Sequence, residues 1–143
     1  MLRAGEVTLP YDMGRALGFV DMADLAEAAA KVVLEPGHDY ATYQIASDEH
    51  LSGEAIAAII ARLAGTAIGS SRIPLDRAVE IFAPIMGTAD GNVDATTDLI
   101  VRLFSYYDRY GINGNGKVLQ WLLGRPPTSF ESYVSRGLKE VRP

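Results

Sequence analysis

Three tyrosines in one stretch of the chain, Tyr106, Tyr107 and Tyr110, are the side chains best suited to contact a ligand. Each joins an apolar ring to a hydroxyl group that can orient a bound molecule. Their spacing places them on a helix, where aromatic side chains more often belong to the core than to a binding site. The pattern thus favours the packed face of a long helix over a contact surface for a ligand.

The two histidines, His38 and His50, lie in polar stretches with Asp39, Asp48 and Glu49 nearby. Imidazole and carboxylate groups together can bind a transition metal. The histidines do not have the i, i+4 spacing that brings two imidazoles to one face of a helix. The sequence therefore favours exposed turns here, and we predict no metal site.

Two carboxylates, Asp21 and Asp24, could act as an acid and base pair. They stand at the start of an apolar helical pattern, where Asp21 can cap free amides and Asp24 adds favourable negative charge. Arg125 follows another helix and can bind either the carbonyl groups that end it or an anion. We expect structural roles for all three, and the sequence identifies no catalytic residue.

Several motifs of nucleotide and acyl chemistry are missing from the 143 residues. No Gly-x-Gly-x-x-Gly follows a strand, and the glycine-rich stretch at residues 111–116 has the wrong spacing and follows a helix. There is no phosphate-binding P-loop and no Gly-x-Ser-x-Gly. Because the chain has no cysteine, it has no thiolate nucleophile and no disulfide.

Length and composition predict one ordinary globular domain over residues 1–143, with 48% hydrophobic and 22% charged residues. The net charge of −5 disfavours nucleic acid as a partner. No apolar run is long enough to span a membrane, and residues 1–20 lack the pattern of a signal peptide. We therefore expect a cytoplasmic protein that contacts neither nucleic acid nor membrane.

The first half of the chain alternates strand and helix patterns. Residues 1–18 form an irregular lead-in with a short strand at residues 6–9 and no start of a core, and a second strand follows at residues 17–20. A helix begins after Asp21 and ends at residues 35–37. Residues 42–46 are the best strand pattern in the chain, because they are rich in aromatic and β-branched residues. Ser52 and Gly65 then bound a second helix, followed by a strand at residues 71–74.

From Leu75 onward the pattern is helical. Pro84 should kink or end the first of these helices, residues 87–93 form a loop, and Asp94 caps a long helix that residues 111–116 break. A short helix leads to Gly124, and Thr128 with Glu131 forms a capping box for the last helix. The prediction is an α/β protein with a few short strands and about five helices.

The order of these segments resembles one known family. Residues 19–26, Phe-Val-Asp-Met-Ala-Asp-Leu-Ala, are similar to a Val-Asp-x-x-Asp-h-Ala motif (h, a hydrophobic residue) of the NmrA-like family of atypical short-chain dehydrogenases. Residues 122–130, Leu-Leu-Gly-Arg-Pro-Pro-Thr-Ser-Phe, look like the stretch before that family's terminal helix. The resemblance covers nearly the whole chain. It departs from the family in two ways: no residue matches the dinucleotide loop of the N-terminal Rossmann half, and residues 106–110 lack the lysine of the Tyr-x-x-x-Lys pair.

The resemblance implies the fold of the family's C-terminal, substrate-binding half. Residues 1–18 would be the lead-in, residues 19–74 a strand and helix unit, and residues 75–143 a helical lid over the substrate cleft. The cleft would be lined by six residues: Pro10, Tyr11, Phe82, Met86, Tyr106 and Tyr110. We expect no cofactor in this chain alone, and NAD(P) only where a partner supplies the Rossmann half.

Three functions fit these observations. The first is the substrate-binding half of an NAD(P)-dependent oxidoreductase or redox-sensing regulator, unable to transfer hydride by itself. The second is a homodimeric protein-interaction module that buries its own apolar surface. The third is a small-molecule binder without a nucleotide cofactor. The partner is accordingly a second copy, a separate Rossmann-half chain or a small molecule.

Overall fold

The strands of this protein are short and form two small sheets, around which six helices pack. A computed structural model describes residues 2–3, 5–87 and 93–141. The described strands are β1 (Leu2–Arg3), β2 (Glu6–Leu9), β3 (Leu17–Gly18), β4 (His50–Leu51) and β5 (Gly69–Arg72). The described helices are α1 (Met22–Leu34), α2 (Gly53–Ala64), α3 (Leu75–Met86), α4 (Val93–Tyr110), α5 (Lys117–Leu123) and α6 (Phe130–Val141).

The first sheet has the order β1-β2-β5. Strand β2 pairs antiparallel with β1 and parallel with β5, in a register that sets Val7 opposite Ser70 and Leu9 opposite Arg72. Burial alternates along β2, with Val7 and Leu9 facing the core. Strands β3 and β4 form the second sheet, and Leu17 of β3 also bridges to Ile112.

Local signals fix the helix ends. Asp21 accepts a hydrogen bond from the Ala23 amide at the start of α1, and Ser52 accepts one from the Ala55 amide at the start of α2. Gly65 ends α2 and Gly124 ends α5, both in the left-handed conformation that glycine adopts without steric cost. All four were expected from the sequence, and all four are confirmed.

The core has two parts. The larger one packs β2, β3, α2, α3 and α4 around Val7, Leu9, Leu17, Ile56, Ile100 and Phe104. The smaller one joins α1 to α5 through Ala28, Leu119 and Leu122, and the partly buried Tyr43 and Ile45 pack against it. Within the described ranges, no helix combines the length and apolarity that crossing a bilayer requires.

The predicted α/β fold class agrees with the structure, which has six described helices where about five were expected. Strand β2 lies where it was predicted, whereas the next strand ends at Gly18 and β5 begins at Gly69 rather than at Ser71. Two predictions were wrong. Residues 42–46 form no strand, and the lead-in supplies core residues, since Val7, Leu9 and Tyr11 are buried.

Helix α3 does not end at Pro84 but continues to Met86, so of the two predicted effects of Pro84 only a kink stays a prediction. Two helix caps were also misassigned. Asp94 lies within the first turn of α4 rather than at its cap. At α6 the capping oxygen belongs to Ser129, which accepts a hydrogen bond from the Ser132 amide. The predicted loop at residues 87–93 falls largely on residues 88–92, which lie outside the described residues.

Candidate functional site

The end of β2 meets helices α3 and α4 at an aromatic cluster. Tyr11, which follows β2, lies with its ring 6.4 Å from Phe104 and 6.2 Å from Tyr107, the latter edge to face. Phe82 of α3 contacts Phe104 at 4.9 Å between ring centroids. Such tilted and edge-to-face arrangements add to the energy of apolar burial. The cluster therefore holds α3 and α4 against the β2 end.

Asp108 connects the same elements through polar contacts. Its carboxylate accepts a hydrogen bond from the Asp12 amide at 2.7 Å and another from the Arg72 guanidinium at 3.1 Å. Asp12 follows β2, Arg72 ends β5 and Asp108 belongs to α4, so one carboxylate fixes three elements. The charged state of Asp108 makes both hydrogen bonds stronger than neutral ones.

Beside this cluster α4 presents an open aromatic surface. Tyr106 is 57% exposed and Tyr110 is 53% exposed, and their rings are 4.9 Å apart. The Arg109 guanidinium lies 5.4 Å from the centre of the Tyr110 ring. Met86, at the end of α3, is 44% exposed. This surface offers flat apolar contact area next to a positive charge.

The six residues implied by the family resemblance thus divide into two sets. Pro10 and Tyr11 are buried and Phe82 packs on the core, whereas Met86, Tyr106 and Tyr110 are exposed. The resemblance did not point to Phe104, which contacts Tyr11 and Phe82, or to Tyr107, which contacts Tyr11 and Tyr106. Tyr107 was recognised in the sequence as one of three closely spaced tyrosines, whereas Asp108 was not singled out. The six residues stay predictions as a substrate site.

The Tyr11 phenol stays neutral and cannot act as a base. Burial, together with the neighbouring Tyr107, raises the pKa of the Tyr11 phenol to about 12. A phenol with that pKa keeps its proton at every physiological pH. Buried Tyr11 therefore contributes an apolar ring and a neutral phenol to the aromatic cluster.

A second set of contacts joins the two motifs that resemble the NmrA-like family, residues 19–26 and residues 122–130. Asp24 of α1 is 1% exposed, and it accepts hydrogen bonds from the Thr128 amide, the Thr128 hydroxyl and Arg125. Asp21 accepts one from Arg136 of α6. These carboxylates are structural, as expected. Arg125 donates to Asp24, Glu27 and the Pro126 carbonyl. The predicted contact of Arg125 with the carbonyl groups that end α5 was therefore wrong, although its role is structural.

The Thr128 hydroxyl is used by Asp24 and the Glu131 carboxylate pairs with Arg62 at 2.8 Å. The predicted capping box is therefore wrong, because each of its side chains has a more distant partner. Between the start of α1 and α6 lies a groove of about 200 Å³ that the sequence did not suggest. Its apolar lining comes from Phe19, Val20, Met22, Phe130 and Tyr133.

The histidines have different partners. His38 Nδ1 lies 2.7 Å from the Tyr43 hydroxyl, and His50 Nε2 accepts a hydrogen bond from the Gly114 amide at 3.1 Å. In the part of the chain that the structure describes, no three His, Asp or Glu side chains are grouped as a metal ion would require.

The glycine-rich stretch at residues 111–116 does not fit a dinucleotide. Three of its amides are already used, since Gly111 donates to the Tyr107 carbonyl, Gly114 donates to His50 and Gly116 donates to the Asp48 carboxylate at 2.7 Å. At the start of α5, the Lys117 amide donates to the Asn115 side chain at 2.8 Å. A pyrophosphate needs free amides at a helix start. A pyrophosphate bound at these glycine amides would therefore have to displace hydrogen bonds that the fold already uses.

The chain matches no protein-family model. It is 28% identical over 130 residues to the NAD(P)H azoreductase of Xenophilus azovorans, an alignment that spans 91% of this chain and 43% of the azoreductase. The structure is similar to an NADPH-dependent quinone oxidoreductase from Escherichia coli, with a TM-score of 0.72 and 25% identity over 96% of this chain and 48% of that chain. It is also similar to the Citrobacter sp. triphenylmethane reductase, with a TM-score of 0.71 and 20% identity over 95% of this chain and 45% of that chain.

These similarities confirm the expected fold class. The relatives are reductases, and two of the three are described as using NADPH or NAD(P)H. The chain spans less than half the length of each of these three relatives.

Proposed function

We propose that these 143 residues form the substrate-binding half of an NmrA-like NAD(P)-dependent oxidoreductase or redox-sensing regulator. The alignment of 91% of this chain with 43% of an NAD(P)H azoreductase carries the proposal. Hydride transfer then requires a nucleotide-binding half, because no Gly-x-Gly-x-x-Gly is present and the Gly114 and Gly116 amides are bound to His50 and Asp48.

The substrate that fits this half is a flat conjugated molecule. Tyr106 and Tyr110 supply two exposed rings, and Arg109 adds a cation beside them. The relatives' names refer to azoreduction, to quinones and to triphenylmethane dyes. A conjugated ring system of this kind can lie against the tyrosine rings. Tyr11, Phe82 and Asp108 hold the helices that carry this surface.

NADPH is expected not to bind the 143-residue chain, because the chain lacks the glycine spacing that lets helix-start amides approach a pyrophosphate. Isothermal titration of NADPH into the purified chain is expected to give no saturable heat with ligand up to about 1 mM. The dissociation constant is then above about 1 mM, and the binding free energy is weaker than about 4 kcal/mol. NADH in place of NADPH should give the same result. Saturable binding in the micromolar range would contradict this part of the proposal.

Quinone binding is expected to depend on the α4 surface. Replacing Tyr106 and Tyr110 together with alanine removes two ring contacts, which should weaken binding about tenfold. The measurement is a titration with naphthoquinone-2-sulfonate followed by amide chemical shifts. The control is Tyr133→Ala, since Tyr133 is 51% exposed but belongs to α6. If the control weakens binding as much as the double variant, the substrate does not lie on α4.

A further inference from the structure

The Arg15 side chain, in the loop between β2 and β3, has no partner for its charge among the residues that the structure describes. Its Nε atom is buried and forms no hydrogen bond within those residues. An arginine stays charged at every physiological pH. Native proteins leave few buried polar atoms unsatisfied, and each such atom calls for an explanation. Arg15 is therefore a positive charge to which the described part of the chain offers no acceptor.

Other described arginines do have partners. Ion pairs with Asp or Glu are formed by Arg62, Arg72, Arg77, Arg102, Arg125 and Arg136. The two carboxylates closest to this loop in the contact network are used by other donors. Asp12 accepts a hydrogen bond from the Gly14 amide, and Asp108 accepts from the Asp12 amide and Arg72. Residues 10–16 hold no acid besides Asp12, so the loop supplies no counter-charge for Arg15.

The Arg15 side chain lies against the end of α4. A Cβ placed on Gly111, directly after Tyr110, would lie 3.4 Å from Arg15 Cδ and 3.7 Å from Arg15 Cγ. The loop and the helix end are fixed to each other, because Leu17 bridges to Ile112 and the Gly18 amide donates to the Ile112 carbonyl at 2.8 Å. Consecutive Cα atoms are about 3.8 Å apart. The Arg15 stem therefore borders the exposed tyrosine rings at the end of α4.

We propose that Arg15 binds an anionic group of the substrate, a carboxylate or sulfonate on the flat conjugated molecule, an inference that rests on the proposed function. The guanidinium is a planar fork of donors that matches two oxygen atoms of such a group. Because one edge of the Arg15 guanidinium is out of water, its attraction for an anion is screened less than that of an exposed cation. Tyr106 and Tyr110 then contact the rings of the substrate, and Arg15 sets the direction in which its charged end points.

Two quinones that differ in one substituent test the proposal. Naphthoquinone is neutral, and naphthoquinone-2-sulfonate carries a negative charge. Each is titrated into the purified chain and followed by amide chemical shifts. The parent should bind the sulfonate about tenfold more tightly than the neutral quinone, as expected for hydrogen bonds to a charged group. Arg15→Met keeps an apolar stem without the charge, and it should bind the two quinones within about twofold of each other.

Arg77→Met is the matched control, because it removes the same charge from an exposed position on α3. Arg77 pairs with Glu80, and its side chain is 54% exposed. The variant should keep the preference of the parent for the sulfonate, since exposed charges at a distance are screened by salt. Arg15→Lys keeps the charge but not the fork, and it should retain only part of the preference, about threefold.

The stability of Arg15→Met separates a binding role from a structural one. The substitution removes a guanidinium without a partner among the described residues, so the urea midpoint should stay unchanged or rise. A cation near the C-terminal end of a helix can also stabilise the helix dipole. A lower midpoint together with an unchanged preference for the sulfonate would assign Arg15 to the fold and overturn the proposal. If Arg15→Met does not fold, the comparison of Arg15→Lys with the parent decides.

The neutral quinone distinguishes a failure of this inference from a failure of the proposed function. If the parent binds both quinones equally, or if the Arg15 variants keep the full preference for the sulfonate, the inference is overturned and the proposed function stands. An equal loss of preference in Arg77→Met would indicate an effect of net charge and would also overturn the inference. If neither quinone binds, the proposed function fails, and the role of Arg15 fails with it.

Discussion

Replacing Asp24 with alanine is expected to lower the free energy of unfolding by about 2–4 kcal/mol. The Asp24 carboxylate is 1% exposed and accepts hydrogen bonds from the Thr128 amide at 2.5 Å and from Arg125 at 2.8 Å. Its removal leaves the partly buried Thr128 amide without an acceptor and releases the stretch before α6. Urea unfolding at pH 7, followed by circular dichroism, measures the change.

Glu27→Ala is the matched control for this substitution. Glu27 also accepts a hydrogen bond from Arg125, but its side chain is 51% exposed. Exposed ion pairs contribute little because water screens them. The control should therefore shift the urea midpoint much less than Asp24→Ala does. Equal shifts would mean that Arg125 pairing, rather than the buried contacts to Thr128, carries the stability.

The same carboxylate predicts a dependence of stability on pH. Burial raises the pKa of Asp24, but the hydrogen bonds from Thr128 and Arg125 outweigh burial, so the pKa lies below its ordinary value of 3.8. Because the pKa is lower in the folded state, the ionised carboxylate stabilises the fold at every pH above the unfolded-state pKa. This stabilisation is lost as the pH falls through the folded-state pKa. The parent should lose more stability below about pH 4 than Asp24→Ala does. Parallel losses in both proteins would contradict the assignment.

Gly111→Ala is expected to destabilise the protein by about 2–5 kcal/mol. Gly111 has a φ of +70°, which a residue with a Cβ adopts at a steric cost. A Cβ at this position would also lie 2.6 Å from the Ala16 carbonyl oxygen. Because that atom belongs to the backbone, it cannot move aside as a flexible side chain would. Thermal unfolding of the variant measures the loss.

Gly124→Ala separates the two causes. Gly124 has a φ of +69°, nearly that of Gly111, but a Cβ there would meet no atom within 4 Å. Its substitution should cost only the backbone strain, about 1–2 kcal/mol. If the two alanine variants are equally destabilised, contact with the Ala16 carbonyl has no effect. A larger loss for Gly111→Ala would show that the stretch after α4 must pack closely on residues 16–18, where the Gly18 amide donates to Ile112.

Hydrogen bonds between near neighbours were determined by the sequence. Asp21, Ser52, Gly65 and Gly124 act at helix ends on atoms two to four residues away. Such contacts depend on residue type and spacing, which the sequence displays directly. The apolar face of α3 was found for the same reason, since Leu75, Val79 and Phe82 recur at helical spacing and pack on the core.

Contacts between distant residues were decided by the tertiary structure. Thr128 was expected to cap α6, but it bonds to Asp24, which lies 104 residues earlier. The Asp12 amide likewise uses Asp108, 96 residues away, and so fixes the α4 surface on which the proposed substrate lies. A polar side chain binds whichever partner folding brings within reach, and local spacing does not show that partner.

Residues 42–46 show the same limit for strands. Their strand-like composition was recognised in the sequence, and in the structure Tyr43 and Ile45 pack on the helices whereas Thr42 and Gln44 are exposed. A strand exists only when a second segment accepts and donates its backbone hydrogen bonds, which the described residues do not provide. The sequence by itself thus determined which segments can become helix or strand, and only the tertiary structure decided which of them are paired, because pairing belongs to two segments and not to one.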